Sequence, residues 1–267
     1  MKKKLFITDL DGTLLDHNKN IPENAIAAIE AFQAEGGLFT IATGRTEVCC
    51  HLATDHVALS APAVIYNGAC VMDLATGHVL WDCPLTASDF RPLARAVMER
   101  FPDICIEIFA YGPQILVNPR AVMDPYIIRE NQAYQTMELE KTPEKWLKLA
   151  FSAPHERLQE LERYLDSHEA EFPGCTRFYS ADYYYEILAK GCSKAGGAQF
   201  LADWLQIPPA EIAVMGDHLN DEAMLRWGGR AYCPANAHEA IRAIAAVTPL
   251  TNDQGAVAQA LEDFRAK

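Results

Sequence analysis

Short apolar runs that end in polar residues and glycine recur in the first third of the chain. Residues 5–8 predict a buried strand, and residues 21–32 predict an amphipathic helix that two glycines end. Further strands with polar residues at their ends are predicted at 38–42 and 63–66. Strands that alternate with helices indicate a parallel sheet, in which the loops after the strands carry the chemistry.

The pattern changes near residue 82, where clustered strands replace the regular alternation. The predicted elements are a helix at 86–101, a hairpin at 104–118, a strand at 146–152, a helix at 155–172 and strands at 176–180 and 184–189. Residues 119–143 predict either a long loop or a helix near 126–130. This part of the chain therefore predicts a separate α+β unit inserted into the parallel-sheet domain.

The alternating pattern resumes after the insertion. Residues 194–205 predict a helix, and residues 212–215 predict a strand that ends in Gly216-Asp217. Asn220 is expected to cap a helix that runs through residue 225, and a short strand follows at 231–233. The predicted fold class is α/β, with a core at 1–81 and 189–267 and an insertion at 82–188.

The composition provides a substantial core and few cations. Half of the 267 residues are apolar, yet no apolar stretch approaches the ~20 residues of a spanning helix. A net charge of −13 opposes binding to nucleic acid or to an anionic membrane. The eight cysteines are scattered without a Cys-x-x-Cys pair, which disfavours a structural zinc site. We expect a soluble, cytoplasmic protein; the sequence does not determine its oligomeric state, and both a monomer and a weak dimer fit it.

Polar side chains that could do chemistry follow four of the predicted strands. They are Asp9 with Asp11, Thr43 with Arg45, Asn67, and Asp217 with Asn220 and Asp221. Carboxylates that a fold brings together repel one another, so a divalent cation is their natural partner. Oxygen donors without a His or Cys set favour Mg²⁺ over zinc or copper. The alternative for Asp9 and Asp11 is an acidic turn that only caps backbone amides.

Lys194 lies in the first turn of its predicted helix, where the helix dipole disfavours a cation. A nearby anion would explain this placement, whereas an isolated lysine would extend its charge into water. Thr43 could donate a hydrogen bond to a phosphoryl oxygen, or it could be an ordinary helix cap. Together these residues indicate an anionic ligand held by a few local cations.

The same residues occur in the order of the four motifs of the haloacid dehalogenase-like phosphatases. The motifs are Asp9-Leu10-Asp11-Gly12-Thr13, Thr43-Gly44-Arg45, Lys194 and Gly216-Asp217-His218-Leu219-Asn220-Asp221. The Asn67-Gly68 element and the terminal stretch with Asn236-Ala237 and Asp253-Gln254-Gly255 resemble the Cof-type subfamily. One departure is His218, which replaces the small or amide residue often found after the Gly-Asp pair.

The resemblance implies a Rossmann-like core and an inserted α+β cap domain. The crossings near Asp82 and Leu188 would be hinges that open the cap to substrate and then exclude water. The cap would contact the organic part of the substrate, and Arg45 from the core would do so as well. Its aromatic candidates, each of which has ordinary packing as its alternative, are Tyr111, Tyr179, Tyr183 and Tyr184.

The resemblance also implies individual roles. Asp9 would be the nucleophile that forms an aspartyl-phosphate, and Asp11 would be the proton donor to the leaving oxygen and then the base toward water. Asp9, the backbone carbonyl of Asp11 and Asp217 would hold Mg²⁺. Asp221 would orient Lys194 or a water bound to the metal. It is also one of the candidate metal-site residues, with Asp9, Asp11 and Asp217. We expect the neighbouring carboxylates to keep Asp11 neutral when substrate binds.

Phosphoryl binding is implied for Thr43, Lys194 and Asn220, with Gly44, Arg45 and Asn67 as further substrate-binding candidates. The implied activity is Mg²⁺-dependent hydrolysis of a small phosphorylated metabolite, such as a sugar phosphate. A phosphomutase of the same family would instead return the phosphoryl group to a substrate. A non-catalytic metabolite-binding or regulatory protein would need neither a nucleophile nor a proton donor.

Overall fold

The computed structural model describes residues 3–118, 133–169 and 174–267. The chain divides into two compact units: unit 1 is Met1–Trp81 with Ser193–Lys267, and unit 2 is Asp82–Cys192. Unit 2 extends beyond residue 188, where the sequence placed the end of the insertion, because its last strand continues to Ala189 and the following turn is hydrogen-bonded to that strand. Among the described residues, no helix combines the length and the apolar character needed to cross a bilayer.

Unit 1 is built on a five-stranded parallel sheet with the strand order β16-β15-β14-β1-β2. These strands are β1 (Leu5–Thr8), β2 (Leu38–Ile41), β14 (Ile212–Met215), β15 (Arg230–Cys233) and β16 (Ala246–Val247). Strand β1 lies inside the sheet, where it pairs with β14 on one side and with β2 on the other. All four residues of β1 are buried and three of them are apolar, as expected for a strand covered on both faces.

A second sheet of unit 1 has the order β3-β4-β5, with β3 (Ala63–Ile65), β4 (Cys70–Asp73) and β5 (His78–Asp82). A single parallel bridge between Ala42 and Val64 connects the end of β2 to β3. The carboxyl ends of β1, β2 and β3 therefore lie along one continuous edge. This edge receives the loops in which the sequence places its candidate residues.

The helices of unit 1 are α1 (Glu23–Ala34), α2 (Glu47–Thr54), α5 (Lys194–Leu205), α6 (Glu222–Trp227), α7 (Glu239–Arg242) and α8 (Ala256–Ala266). Helix α1 begins at Glu23 because Pro22 is its N-cap, and it buries Ala25, Ile29 and Phe32. Short 3₁₀ turns occupy Tyr66–Gly68, Pro209–Glu211, Leu219–Asp221 and Asn252–Gln254. The turn at Leu219–Asp221 takes the place of the first turn of the helix predicted from Asn220.

Unit 2 contains a six-stranded sheet with the order β12-β13-β11-β7-β8-β9, and a two-stranded pair of β10 and β6. Its strands are β6 (Leu85–Thr86), β7 (Cys105–Phe109), β8 (Gln114–Leu116), β9 (Tyr134–Thr136), β10 (Lys145–Trp146), β11 (Lys148–Ser152), β12 (Cys175–Ala181) and β13 (Tyr184–Ala189). Helices α3 (Ala87–Arg100) and α4 (His155–Ser167) share the apolar core of one sheet face.

Four polar side chains are buried on the alternate positions of the same unit 2 sheet: Glu107, Lys148, Ser152 and Glu186. Lys148 forms an ion pair with Glu186 at 3.0 Å, and Ser152 donates a hydrogen bond of 2.6 Å to Glu107.

The predicted hairpin at 104–118 corresponds to the antiparallel pair β7 and β8. The helix considered near 126–130 lies outside the described residues. Together with the parallel sheet of unit 1, these elements confirm the predicted α/β class.

Candidate active site

Lys194 connects two carboxylates from distant parts of unit 1. It is the first residue of α5, and the preceding Ser193 caps this helix by accepting a hydrogen bond from Gly196 N. Lys194 Nζ lies 2.6 Å from Asp9 Oδ1 and 2.7 Å from Asp221 Oδ1. Burial alone would lower the pKa of Lys194, but the charges of Asp221 and Asp9 outweigh it and raise the pKa. The lysine is therefore a permanent cation inside the protein.

Asp221 is fully buried, and both of its carboxylate oxygens accept hydrogen bonds. While Oδ1 meets Lys194, Oδ2 accepts from the backbone N of Asp217 at 3.0 Å and of His218 at 3.1 Å. A Cβ at Gly216 would lie 2.4 Å from the Asp221 carboxyl carbon, so only glycine fits there. Asp221 thus fixes both the lysine and the turn that carries Asp217.

Asp217 faces the loop that follows β1. Its Oδ1 accepts a hydrogen bond of 2.8 Å from the Thr13 hydroxyl. Gly12 has a φ of +79°, and a Cβ there would lie 2.5 Å from Asp217 Oδ2. Glycine is required for the left-handed backbone and for this close approach. The loop and the Asp217 carboxylate are therefore packed directly against each other.

Three carboxylates come close enough to share an ion. Among the described residues, ligand atoms of Asp9, Asp217 and Asp221 lie within 4.8 Å of one another. Burial, followed by the charge of Asp221, raises the pKa of Asp217 to about 6. Burial also raises the pKa of Asp9 well above its usual range, although Lys194 opposes this rise. The group carries more negative charge than one lysine balances, and all its donors are oxygens, as a hard divalent cation requires.

Asp11 lies beside this group but forms a different set of contacts. Arg45 donates to both of its carboxylate oxygens at 2.7 Å, and Lys19 Nζ lies 2.6 Å from Oδ1. Burial would raise the pKa of Asp11, yet Arg45 and Lys19 outweigh burial and lower it to about 2. Arg45 and Lys19 therefore favour the charged form of Asp11 in the substrate-free protein. The expectation that neighbouring carboxylates keep Asp11 neutral applies to the substrate-bound protein and stays a prediction.

Lys19 was not among the residues singled out from the sequence. It lies in a turn in which Asp16 Oδ1 accepts from the backbone N of Asn18 and of Asn20, each at 2.8 Å. Lys19 itself has a left-handed φ of 66°. Asp and Asn at this spacing are the one sequence signal for such a turn. They do not show that the turn directs its lysine toward Asp11.

Thr43, Gly44, Asn67 and Asn220 also meet at this edge of unit 1. Thr43 is buried, and its carbonyl accepts from the backbone N of Asn67 at 2.9 Å. Asn220 Nδ2 donates to Asn67 Oδ1 at 3.2 Å, and a Cβ at Gly44 would lie 2.9 Å from Asn67 Nδ2. The helix cap considered for Thr43 belongs instead to Thr46, which accepts from the N of Cys49. The hydroxyl of Thr43 is thus not used as a helix cap.

Three consecutive left-handed residues bring Asn67 to this edge. The φ values are 54° for Tyr66, 55° for Asn67 and 93° for Gly68. A Cβ at Gly68 would lie 1.9 Å from the carbonyl oxygen of Ser193, the cap of α5. Backbone strain of this kind persists only where the surroundings enforce it, and it is concentrated at functional sites. The turn therefore ties the end of β3 to the helix that carries Lys194.

The tyrosines singled out in the insertion all have partners within unit 2. Tyr111 donates to Asp82 at 3.0 Å, Tyr179 to Glu162 at 3.1 Å, and Tyr184 to Glu107 at 3.2 Å. The Tyr183 ring lies 5.3 Å from that of Tyr184. These contacts agree with the packing alternative for each ring.

The chain is similar to known proteins over nearly its whole length. The family model of the haloacid dehalogenase-like hydrolases matches residues 6–261. The chain is 27% identical over 273 residues to the 5-amino-6-(5-phospho-D-ribitylamino)uracil phosphatase YitU of Bacillus subtilis, with 98% of each protein covered. It is 28% identical to the HMP-PP phosphatase of Yersinia enterocolitica, a match that covers 88% of this chain and 84% of that protein.

Solved structures agree at the level of the fold. The crystal structure of a haloacid dehalogenase-like hydrolase from Bacteroides thetaiotaomicron superposes with a TM-score of 0.84 and 23% identity, covering 98% of this chain and 99% of that one. The family model spans nearly the entire sequence, and both curated relatives are phosphatases. The chain therefore belongs to the haloacid dehalogenase-like hydrolase family and is a phosphatase of its Cof type.

Proposed function

We propose that the protein is a Mg²⁺-dependent phosphatase that hydrolyses small phosphorylated metabolites, including sugar phosphates, through an aspartyl-phosphate intermediate. The observation that carries this proposal is the group formed by buried Asp9, buried Lys194 and half-buried Asp217, which come together beside the end of β1. A carboxylate nucleophile, a cation against it and a second carboxylate are the groups that phosphoryl transfer through a covalent intermediate needs.

The donor set supports Mg²⁺ as the cation. Asp9, Asp217 and the backbone carbonyl of Asp11 would hold the ion, and it would supply positive charge that polarises a phosphoryl oxygen. Its binding would also counteract burial and the repulsion between carboxylates, which together raise the pKa values of Asp9 and Asp217. Asp221 has both oxygens engaged, so we assign it the positioning of Lys194 and of the Asp217 turn.

In the first step, a carboxylate oxygen of Asp9 attacks phosphorus, and the bond from phosphorus to the leaving oxygen breaks. Lys194 stabilises the negative charge on the phosphoryl oxygens, with hydrogen bonds from Thr43 and Asn220. Asp11 gives its proton to the leaving oxygen. In the second step, Asp11 accepts a proton from water, the water oxygen attacks phosphorus, and Asp9 is regenerated as inorganic phosphate leaves.

The ion pairs of Asp11 favour the charge state that the second step starts from. A carboxylate held by Arg45 and Lys19 is the form that accepts a proton from water. Donation in the first step requires that these two cations release Asp11. A phosphorylated substrate brings negative charge that would draw Arg45 and Lys19 away from it. We therefore assign both cations to substrate binding as well as to the control of Asp11.

The substrate class is proposed from the relatives. One of them is named for a substrate with a phosphoribityl group, and the other for HMP-PP. Both names describe small phosphorylated molecules, which suit a site whose cations are few and local. We also propose that unit 2 is a cap that contacts the organic part of the substrate, with hinges near residues 82 and 188–192.

The test is a screen of phosphorylated metabolites with Mg²⁺, run beside Asp9→Asn and the exposed control Asp203→Asn. We expect the wild type and the control to release inorganic phosphate, and Asp9→Asn to release none. Acid quenching during turnover should trap the phosphate on Asp9, which mass spectrometry detects. Full activity of Asp9→Asn would refute the nucleophile, and full activity after metal removal would refute the cation. Transfer between two sugars without phosphate release would indicate the mutase.

A further inference from the structure

Two asparagines from the C-terminal part of the chain hold the loop that follows β1. Asn236 Nδ2 donates to the carbonyl of Gly12 at 2.9 Å, and its Oδ1 accepts from the backbone N of Asn252 at 2.9 Å. Asn252 Nδ2 then donates to the carbonyl of Leu15 at 2.8 Å. Two side-chain amides thus bind two backbone carbonyls of the loop, and a hydrogen bond joins the two asparagines to each other. Neither asparagine has a role in the proposed reaction.

The peptide that Asn236 holds is the one that places Thr13 against Asp217. The Thr13 hydroxyl donates to Asp217 Oδ1 at 2.8 Å, and Gly12 packs against the other oxygen of the same carboxylate. Within the loop, the backbone N of Leu14 and of Leu15 donate to the carbonyl of Leu10 at 3.0 and 2.9 Å, but the N of Thr13 reaches it only at 3.4 Å, which is long for a hydrogen bond. The local bond at the Gly12–Thr13 peptide is therefore weak, and Asn236 holds the carbonyl of this same peptide.

We propose that Asn236, supported by Asn252, is a positioning residue for the cation site. It fixes the Gly12–Thr13 peptide, and Thr13 in turn orients the carboxylate of Asp217. This inference rests on the proposed function, because it takes Asp217 as a ligand of Mg²⁺. Partners that orient a metal ligand typically contribute 10- to 100-fold to metal affinity. Asn236 acts one contact further out, so we expect a loss of about tenfold, at the low end of this range.

The experiment is titration calorimetry of Mg²⁺ into the substrate-free protein. Asn236→Ala should weaken Mg²⁺ binding by about tenfold. The matched control is Asn24→Ala, since Asn24 is also exposed and donates a hydrogen bond of 2.9 Å to the carbonyl of Gln254, without touching the loop at 12–15. The control should bind Mg²⁺ like the wild type. Asn252→Ala, which leaves the Gly12 bond in place, should show a smaller loss.

A double variant tests whether the effect passes through Thr13. Thr13→Val removes the hydroxyl that touches Asp217 and should weaken Mg²⁺ binding at least as much as Asn236→Ala. If Asn236 acts through Thr13, Asn236→Ala should weaken binding little further when Thr13→Val is already present. Two fully additive losses would overturn this route.

The Mg²⁺ affinities of Asn236→Ala and of the wild type can each refute the role of Asn236. An unchanged Mg²⁺ affinity of Asn236→Ala, whether or not its melting temperature falls, would leave the residue a purely structural role and overturn the proposal. Failure of the wild type to bind Mg²⁺ would overturn it too. A wild type that binds Mg²⁺ but releases phosphate from no metabolite would refute the proposed phosphatase reaction alone, since the affinity differences would remain.

Discussion

Replacing Lys194 by methionine removes the cation that two buried carboxylates share. Lys194 is 2% exposed, Asp221 is fully buried, and the two ion pairs measure 2.6 and 2.7 Å. Removing one partner from a buried ion pair costs about 3–5 kcal/mol, because it leaves an uncompensated charge in the interior. In a unit of this size, each kcal/mol shifts the melting temperature by about 2–4 °C. We therefore expect a fall of roughly 6–20 °C for unit 1 in the metal-free protein.

The pH dependence of this loss has a definite sign. The folded-state pKa of Lys194 is raised, so its stabilising contribution is complete at every pH well below 10.5. Burial raises the folded-state pKa of Asp9, so this carboxyl takes up a proton more readily as the pH falls. A protonated Asp9 is neutral, so removal of Lys194 then leaves no uncompensated charge on this side chain. The loss caused by Lys194→Met should therefore be larger at pH 8 than at pH 5.

Scanning calorimetry in the presence of a chelator measures this difference. Lys267→Met is the matched control, since Lys267 pairs with Asp263 at 2.7 Å but is 51% exposed. Surface ion pairs contribute little, so its melting temperature should stay close to that of the wild type. If Lys194→Met also melts within about 4 °C of the wild type at pH 8, the two carboxylates are not charged partners of Lys194, and the reasoning fails.

Three further predictions follow from the site and its turns. The pKa of Asp11, followed by carboxyl NMR in metal-free protein, should be about 2 and should rise in Arg45→Met; an unchanged value would contradict the assigned cause. Because the folded-state pKa of Asp217 is about 6, above its usual 3.8, metal-free protein should gain stability as the pH falls from 7 toward 4, and Asp217→Asn should reduce this gain. Gly68→Ala, whose Cβ would lie 1.9 Å from a backbone oxygen, should melt far below Gly77→Ala, which meets nothing within 4 Å; equal melting temperatures would show that the contact is relieved.

The polar ends of the strands were predictable because each strand of a parallel sheet gives a short apolar run followed by a break. Asp9, Asn67 and Asp217 each follow such a run, and parallel pairing then brings the carboxyl ends to one edge. The order of the motifs identified the family, and the family model confirms it. The roles proposed for the individual side chains stay predictions.

The charge state of Asp11 could not be read from the sequence. It depends on the direction in which Arg45 and Lys19 point, and spacing along the chain does not contain that direction. The predicted strand at 146–152 was also imperfect. It is two strands, β10 and β11, which pair with different neighbours on either side of Leu147. The sequence does not reveal such a change of partner, because every residue from 146 to 152 is buried on both sides of Leu147.

The position of β1 between β2 and β14 affects how the protein is made. During synthesis β2 follows β1 within a few dozen residues, whereas β14 emerges only after all of unit 2. The edge of β1 that later pairs with β14 thus stays open while the ribosome completes an entire second unit. An open apolar edge is a template for wrong pairing with other chains. Slower synthesis of residues 82–192 should therefore lower the yield of native protein, because it lengthens the time for which this edge is unpaired.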